Sequence, residues 1–278
     1  MAEIQPHEFE LLQRLIESES GIHIKETKQA FLVSRLRCRL RVTGLNSFSE
    51  YYRYVSKSPE ERQVMIDRIC THETRFFREP FQFDFLKDEI FPRWRADVDA
   101  DRRERRIRAW SAGCSTGEEP FSLAMLLRTD LPICEGWRIE IQATDISRHV
   151  LKQAASATWP IDRAAEIPEE FLDRFMRRGV RSSEGQIRAI PELRSMIQFS
   201  KLNLNDPHYA LSSKFDLIMC RNVLIYFPQK ARAQAIDRLI DHLVPGGLFF
   251  VGHAETLHGT ARKLQRLAPT IYARPGGR

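Results

Sequence analysis

Residues 107–120 read IRAWSAGCSTGEEP. IRAWSAG has the make-up of a strand, and a helix is expected from about Glu118 to Arg128. Between them stand Gly113 and Gly117, where backbone can approach a ligand closely, and a helix start with free N–H donors. The turn lacks the G-x-G-x-x-G spacing of a dinucleotide fingerprint, which disfavours a pyrophosphate ligand. Downstream the rhythm repeats. WRIEIQATD (137–145) reads as a strand, SRHVLKQAA (147–155) as a helix and FDLIMCRN (215–222) as a buried parallel strand. Pro228 to Leu243 reads as a helix, GGLFFVGHAE (246–255) as a strand and LQRLAPTIYAR (264–274) as a closing hairpin. Alternating strands and helices predict a doubly wound, Rossmann-like α/β sheet with its ligand at the carboxyl ends of the strands.

Two regions break this rhythm. Residues from about 160 to 197 exceed one crossover helix, and FMRRGVRSSEGQIRAIPEL (175–193) holds two short alternating runs around Ser-Ser-Glu-Gly. They predict a small inserted β-subdomain suited to partner contact. The first 80 residues carry no strand pattern. Phe9, Leu12, Leu15 and Ile16 fall at helical spacing before Gly21; Leu32, Val33, Leu36 and Leu40 form the stripe of a second helix, Thr27 to Thr43, that stops at Gly44. Ser47 with Glu50 and Ser58 with Glu61 read as capping boxes. A further helix follows Pro80, using Phe81, Phe85, Leu86 and Ile90, and is expected to end before Pro92; the charged DVDADRRERR after it reads as a solvated linker.

With 278 residues, one large domain and a smaller one are expected. The N-terminal MAEIQPHEFE has no secretory pattern, and the apolar runs fall far short of the roughly 20 residues that span a bilayer. Five cysteines without a CxxC pair argue against a disulfide framework or zinc site and fit a reducing cytosol. The net charge of +6 asks for an acidic partner, whether nucleic acid, membrane or protein.

Four constellations carry the chemistry. Beside the 112–120 turn stands Asp145, an acid at a strand end that can accept from both ribose hydroxyls or cap the following helix. CRNVLIYF (220–227) brings Arg221, Asn222 and Tyr226 out of an apolar strand into the expected crevice. THETRFFREP (71–80) mixes arginines with paired phenylalanines where the helical and α/β regions meet.

In this order TRFFRE, STGEEPFSLAM, ATDIS, SKLNL, FDLIMCRNVLIYF and PGGLFFVGHAE, after a helical N-terminal stretch, resemble the chemotaxis receptor glutamate methyltransferases, the CheR family, over nearly the whole chain. The resemblance implies a helical receptor-recognition domain at 1–78 and an S-adenosyl-L-methionine-binding methyltransferase domain at 79–278. It implies cofactor contacts from Thr74, Arg78, Glu118, Asp145 at the ribose, Asn203 and Leu204 at the adenine, and Arg221 and Asn222. His72 stands where the family often has another polar residue. The product would be S-adenosyl-L-homocysteine, and no metal is called for. The acceptor glutamate is already ionised near neutrality, so no general base is needed; Arg78 and Tyr226 are assigned to placing its carboxylate. Lys28, Arg35 and Arg39, spaced to share a helix face, are expected to grip the acidic helical cytoplasmic region of a chemoreceptor. A receptor C-terminal peptide is a further expected partner for the β-subdomain, as in some family members. A cytoplasmic monomer recruited to receptor arrays, without membrane insertion, completes the expectation.

A nucleic-acid methyltransferase of the base-amino type would carry Asn/Asp-Pro-Pro-aromatic after the central strand. Arg221-Asn222-Val223-Leu224 stands there instead, and only Phe31 lies near the basic row. A nicotinamide dehydrogenase lacks its glycine fingerprint, and a binding module without chemistry would not need Arg78, Asp145, Arg221 and Tyr226 together.

Overall fold

The computed structural model describes residues 3–255, 257 and 264–276. The two ends of the expected domains, Met1 and Arg278, lie outside the described residues. Four helices come first: α1 (Pro6–Ser20), α2 (Gln29–Thr43), α3 (Phe48–Lys57) and α4 (Pro59–Ile69). The α2 stripe of Leu32, Val33, Leu36 and Leu40 is buried as its spacing requires, against Leu12, Ile16, Phe48, Tyr51 and Met65. Gly21 ends α1 in the left-handed region at φ 76°, and a Cβ there would sit 2.6 Å from the Phe227 ring. Glycine thus serves both the helix stop and the contact with the second half of the chain.

The capping boxes are half formed. Ser47 and Ser58 accept from the Glu50 and Glu61 backbone N–H groups, but Glu50 turns back to the Asn46 N–H and Glu61 is taken by Arg39. The helix expected to stop before Pro92 runs on. Helix α5 (Pro80–Phe85) leads through a π-turn (Leu86–Ile90) into α6 (Phe91–Asp99). The widened turn changes the hydrogen-bond register just where proline lacks a donor, so the missing N–H does not break the rod. Its buried face is Gln82, Phe83, Leu86 and Ile90, while Phe81 is turned outward.

The second half is built from β1 (Arg106–Ala112), α7 (Glu118–Asp130), β2 (Arg138–Asp145), α8 (Arg148–Ser156), β3 (Thr158–Pro160), α9 (Glu169–Phe175), β4 (Met176–Arg178), β5 (Gln186–Ala189), α10 (Pro191–Arg194), β6 (Ile197–Lys201), β7 (Phe215–Cys220), α11 (Gln229–Asp241), β8 (Leu243–Val251), β9 (Gln265–Ala268) and β10 (Ile271–Ala273). Seven strands form one sheet in the order β6-β2-β1-β7-β8-β10-β9. The first five are parallel, and β10 and β9 close the edge as an antiparallel hairpin. Both faces are covered. Ala109, Leu217, Met219 and Phe250 enter one core, and Trp110, Ile218, Cys220 and Phe249 enter the other. The chain winds outward from β1 through β2 to β6, then returns to β7 on the other side of β1. That reversal opens a crevice at the carboxyl ends of β1 and β7.

The inserted segment forms a separate antiparallel sheet, β3-β5-β4. It is docked by Trp159, whose ring lies edge-on to Phe76 and Phe121, each at 5.0 Å between centroids. The indole N–H donates to the Thr116 carbonyl at 3.2 Å. No described helix is long and apolar enough to cross a membrane.

Candidate active site

A cavity open to solvent occupies the crevice. Its floor is the turn after β1. Gly113 and Cys114 donate their N–H groups to the Thr144 carbonyl, tying that turn to the end of β2. Gly113 has φ 87°, and a Cβ on it would meet Val223 Cγ2 at 2.4 Å. No other residue fits the close approach of the β1 and β7 turns.

Asp145 ends β2 beside this turn. Its two carboxylate oxygens accept from the Ser115 and Ser147 backbone N–H groups, each at 2.9 Å. Ser147, not Asp145, caps α8 with its side chain. Burial pushes the Asp145 carboxyl above the usual carboxylate range, with the two backbone donors pulling the other way. Those donors use two of about four lone-pair directions and leave the others for a ligand. His72 also lines the cavity, and its buried Nε2 has no partner. Burial holds that imidazole below its ordinary pKa, against the charge of Asp145.

At the β7 end, Arg221 is a buried tether rather than a free cation. Its Nε donates to Glu119 Oε2 at 2.6 Å and its Nη1 to Gln82 Oε1 at 3.0 Å and to the Arg78 carbonyl. Glu119 is fixed in turn by the Ser111 hydroxyl at 2.6 Å. Asn222 sits in the left-handed region at φ 59°, and its buried Oδ1 is unpartnered. Arg78 and Tyr226 complete this wall, with the Arg78 guanidinium donating to the Glu73 carbonyl at 3.0 Å.

Of the residues expected at the cofactor, Thr74, Arg78, Asp145, Asn203, Leu204, Arg221 and Asn222 line the one cavity, as does Tyr226. Glu118 does not. Its carboxylate pairs with Arg163 Nη2 at 2.8 Å and accepts from the Thr116 hydroxyl at 2.6 Å, and the next residue, Glu119, takes the cavity position. A helix turns about 100° per residue, so one position at the start of α7 decides which acid faces the ligand. Asn203 reaches the cavity, but its amide donates to the Glu19 carbonyl at 2.7 Å and so also joins the two halves of the chain. The walls missed by sequence reasoning include Ser20, Ile22, Cys70 and Phe227. Ser20, Ile22 and Cys70 lie outside the quoted motifs, Phe227 closes CRNVLIYF without having been assigned to the site, and they meet because the helical unit packs on the sheet.

The basic face is also corrected. Arg35 is exposed, its guanidinium 5.1 Å from the Phe31 ring centroid, and Lys28 is exposed just before α2. Arg39 instead faces α4 in a bidentate pair with Glu61 at 2.9 and 2.7 Å, which the Tyr51 hydroxyl joins at 2.9 Å. A buried carboxylate recruits the nearest cation on the facing helix, and that is Arg39. The exposed cations of α2 are Arg35 and Arg41, on either side of Cys38.

Comparison with known proteins places this arrangement. Residues 72–273 match the model described as CheR methyltransferase, SAM binding domain, and residues 7–70 the one described as CheR methyltransferase, all-alpha domain. The chain belongs to the CheR methyltransferase family. A chemotaxis protein methyltransferase of Borreliella burgdorferi is 35% identical over 272 residues, covering 97% of this chain and 94% of that one. Chemotaxis protein methyltransferase 2 of Pseudomonas aeruginosa is 33% identical, covering 96% and 92%, and the Escherichia coli chemotaxis protein methyltransferase 34% identical, covering 95% and 90%.

The cavity fits the S-adenosyl-L-methionine of a CheR methyltransferase on its own chemistry. Asp145 keeps carboxylate acceptor directions free at the cavity, of the kind a ribose needs, and Ile146, Leu202 and Leu204 add apolar lining, of the kind an adenine needs. The orphaned Asn222 Oδ1 is an acceptor suited to an ammonium group.

Proposed function

We propose that the chain moves the methyl group of S-adenosyl-L-methionine to glutamate side chains on the helical cytoplasmic domain of chemoreceptors. The products are glutamate 5-O-methyl esters and S-adenosyl-L-homocysteine, and the step serves adaptation in bacterial chemotaxis. What carries this is that Arg78 and Tyr226 line the same cavity as Asp145. The names of the curated relatives, chemotaxis protein methyltransferases, support the same reading.

When bound, the cofactor supplies an electrophilic methyl group on a cationic sulfur. Everything else falls to the chain. A glutamate with an ordinary pKa of about 4.3 arrives ionised near neutrality, so no residue needs to remove a proton. Arg78 holds its carboxylate through paired N–H donors, and the Tyr226 hydroxyl donates one bond that sets the angle of attack. Arg221, anchored by Glu119, fixes the Arg78 backbone. The apolar walls thin the water around the acceptor oxygen.

Lys28, Arg35 and Arg41 supply the basic surface for an acidic receptor helix, with Arg39 reassigned to the fold. The β3-β5-β4 sheet is the candidate dock for a receptor C-terminal peptide. On this reading the enzyme works as a cytoplasmic monomer gathered at receptor arrays. The test is transfer of labelled methyl groups to purified receptors, with and without their C-terminal tails, as base-labile ester. Arg78→Ala is expected to abolish turnover with only a modest loss of cofactor affinity. Near-normal methylation by that variant removes Arg78 from acceptor placement, and absence of ester label with the unaltered chain overturns the function.

A further inference from the structure

Glu255 lines no part of the cavity and has no place in the steps above, yet its side chain is buried and heavily bonded. Its Oε2 accepts from the backbone N–H groups of Asn222 and Gly252, both at 2.7 Å. Its Oε1 accepts from Val223 at 2.9 Å, Leu224 at 2.6 Å and Ile225 at 3.3 Å. Apart from Gly252, these donors belong to the turn that leaves β7 and enters a short 3-10 helix, Leu224–Tyr226. Donors at such a start have no carbonyl partner of their own, and buried without one they are costly. The turn is also tightly enclosed. Asn222 is left-handed, and a Cβ on Gly252 would come within 2.7 Å of its Nδ2. Asparagine suits the left-handed position, and the carboxylate behind the turn accepts the N–H groups that this shape leaves unpaired. On its cavity side the same turn presents Asn222, Val223 and Tyr226.

We propose that Glu255 is a positioning residue for methyl transfer, its carboxylate gathering the backbone N–H groups of the 222–225 turn and so fixing Asn222 and Tyr226 at the cavity wall. This rests on the role given to Tyr226 above. Glu255→Gln keeps the size of the side chain but turns one oxygen into a donor aimed at donors. Whichever oxygen is replaced, at least two backbone N–H groups lose their acceptor. Glu255→Asp keeps both acceptors on a shorter arm.

The experiment uses the full chain, purified receptor and S-adenosyl-L-homocysteine, with Glu255→Gln, Glu255→Asp, Tyr226→Phe and the Glu255→Gln/Tyr226→Phe double variant. In folded Glu255→Gln, kcat is expected to fall on the order of 100-fold, as for other misplacements of about 1 Å. Receptor KM should move less than about three-fold, while the S-adenosyl-L-homocysteine Kd should rise by less than kcat falls, because only the Asn222 contact with the cofactor is disturbed. Glu255→Asp should recover part of kcat, and Tyr226→Phe should cost little more once Glu255 is Gln. A normal kcat in folded Glu255→Gln overturns the proposal. So does a loss of activity that only tracks the unfolded fraction. If Tyr226→Phe keeps a normal kcat while Glu255→Gln loses it, the Tyr226 role fails and positioning through Asn222 stands. If Glu255→Gln does not fold, Glu255→Asp decides: a reduced kcat at unchanged receptor KM supports the proposal, and a normal kcat overturns it.

Discussion

Arg35 and Arg39 look alike in the sequence, four residues apart on one helix, and the fold gives them different work. Arg39 is the counter-charge of a carboxylate that is 5% exposed, and the pair also holds the Tyr51 hydroxyl. Removing it leaves Glu61 buried and unpaired, which costs roughly 3 kcal/mol. Arg35 has no such duty. Arg35→Ala should leave the denaturation midpoint within error and raise the receptor KM. Arg39→Ala should lower the free energy of unfolding by that amount, with an earlier midpoint, and change receptor KM in the folded fraction little. Chemical denaturation beside receptor kinetics separates the two, and a stability loss in Arg35→Ala with none in Arg39→Ala reverses the assignment. The acids at 118 and 119 teach the same lesson. They are adjacent in the chain, yet one binds the insert and the other binds Arg221 at the cavity.

The inserted subdomain acts on the site as an element, through a strap rather than a wall. Arg163, in the 3-10 turn after β3, donates to Glu118, to Glu166 at 2.6 Å and to the Thr74 carbonyl at 2.6 Å. Glu166 in turn accepts from the Phe76 N–H at 2.9 Å. The segment carrying Thr74 and Arg78 is therefore held from outside the cavity. Arg163→Ala frees it and strands the buried Glu118 charge, so the S-adenosyl-L-homocysteine Kd should rise about ten-fold, near 1.4 kcal/mol. An unchanged Kd by calorimetry would show that the segment holds its shape without the strap. What the sequence made legible follows from such cases. The α2 stripe, the strand–helix rhythm and the turn at Gly113 are periodic or local, and so were readable. The Glu61 partner of Arg39, the Glu118–Arg163 pair and the grip of Glu255 on backbone N–H groups join distant positions and leave no local pattern. Pro92 misled because a π-turn is set by packing rather than by composition.

The whole molecule makes the site at the seam of its two units. The α1 end supplies Ser20 and Ile22 to the cavity, and the sheet half supplies Asp145, Leu204 and Tyr226. The seam is stitched largely through backbone. The His23 N–H donates to the Tyr226 carbonyl at 2.9 Å, the Asn205 amide reaches the Ser18 carbonyl at 3.2 Å, and the Gln63 amide reaches the Ile146 carbonyl at 3.1 Å. A ligand that fills the cavity touches both units and binds only when they are joined. Binding must then stabilise the joined form, by about 2.7 kcal/mol at a ligand concentration of 100 Kd. The amide of His23 reports the seam directly, because its partner is the carbonyl of Tyr226. Saturating S-adenosyl-L-homocysteine should slow its hydrogen exchange by on the order of 100-fold if the seam opens as a unit. Amides in α3, which packs on α1 and α4 within the helical core, should slow less if that core keeps its own protection when the seam opens. Equal slowing in both places would mean the units unfold only together. No slowing at His23 would mean the seam stays shut without ligand, and that the cofactor enters by another route than parting the two units.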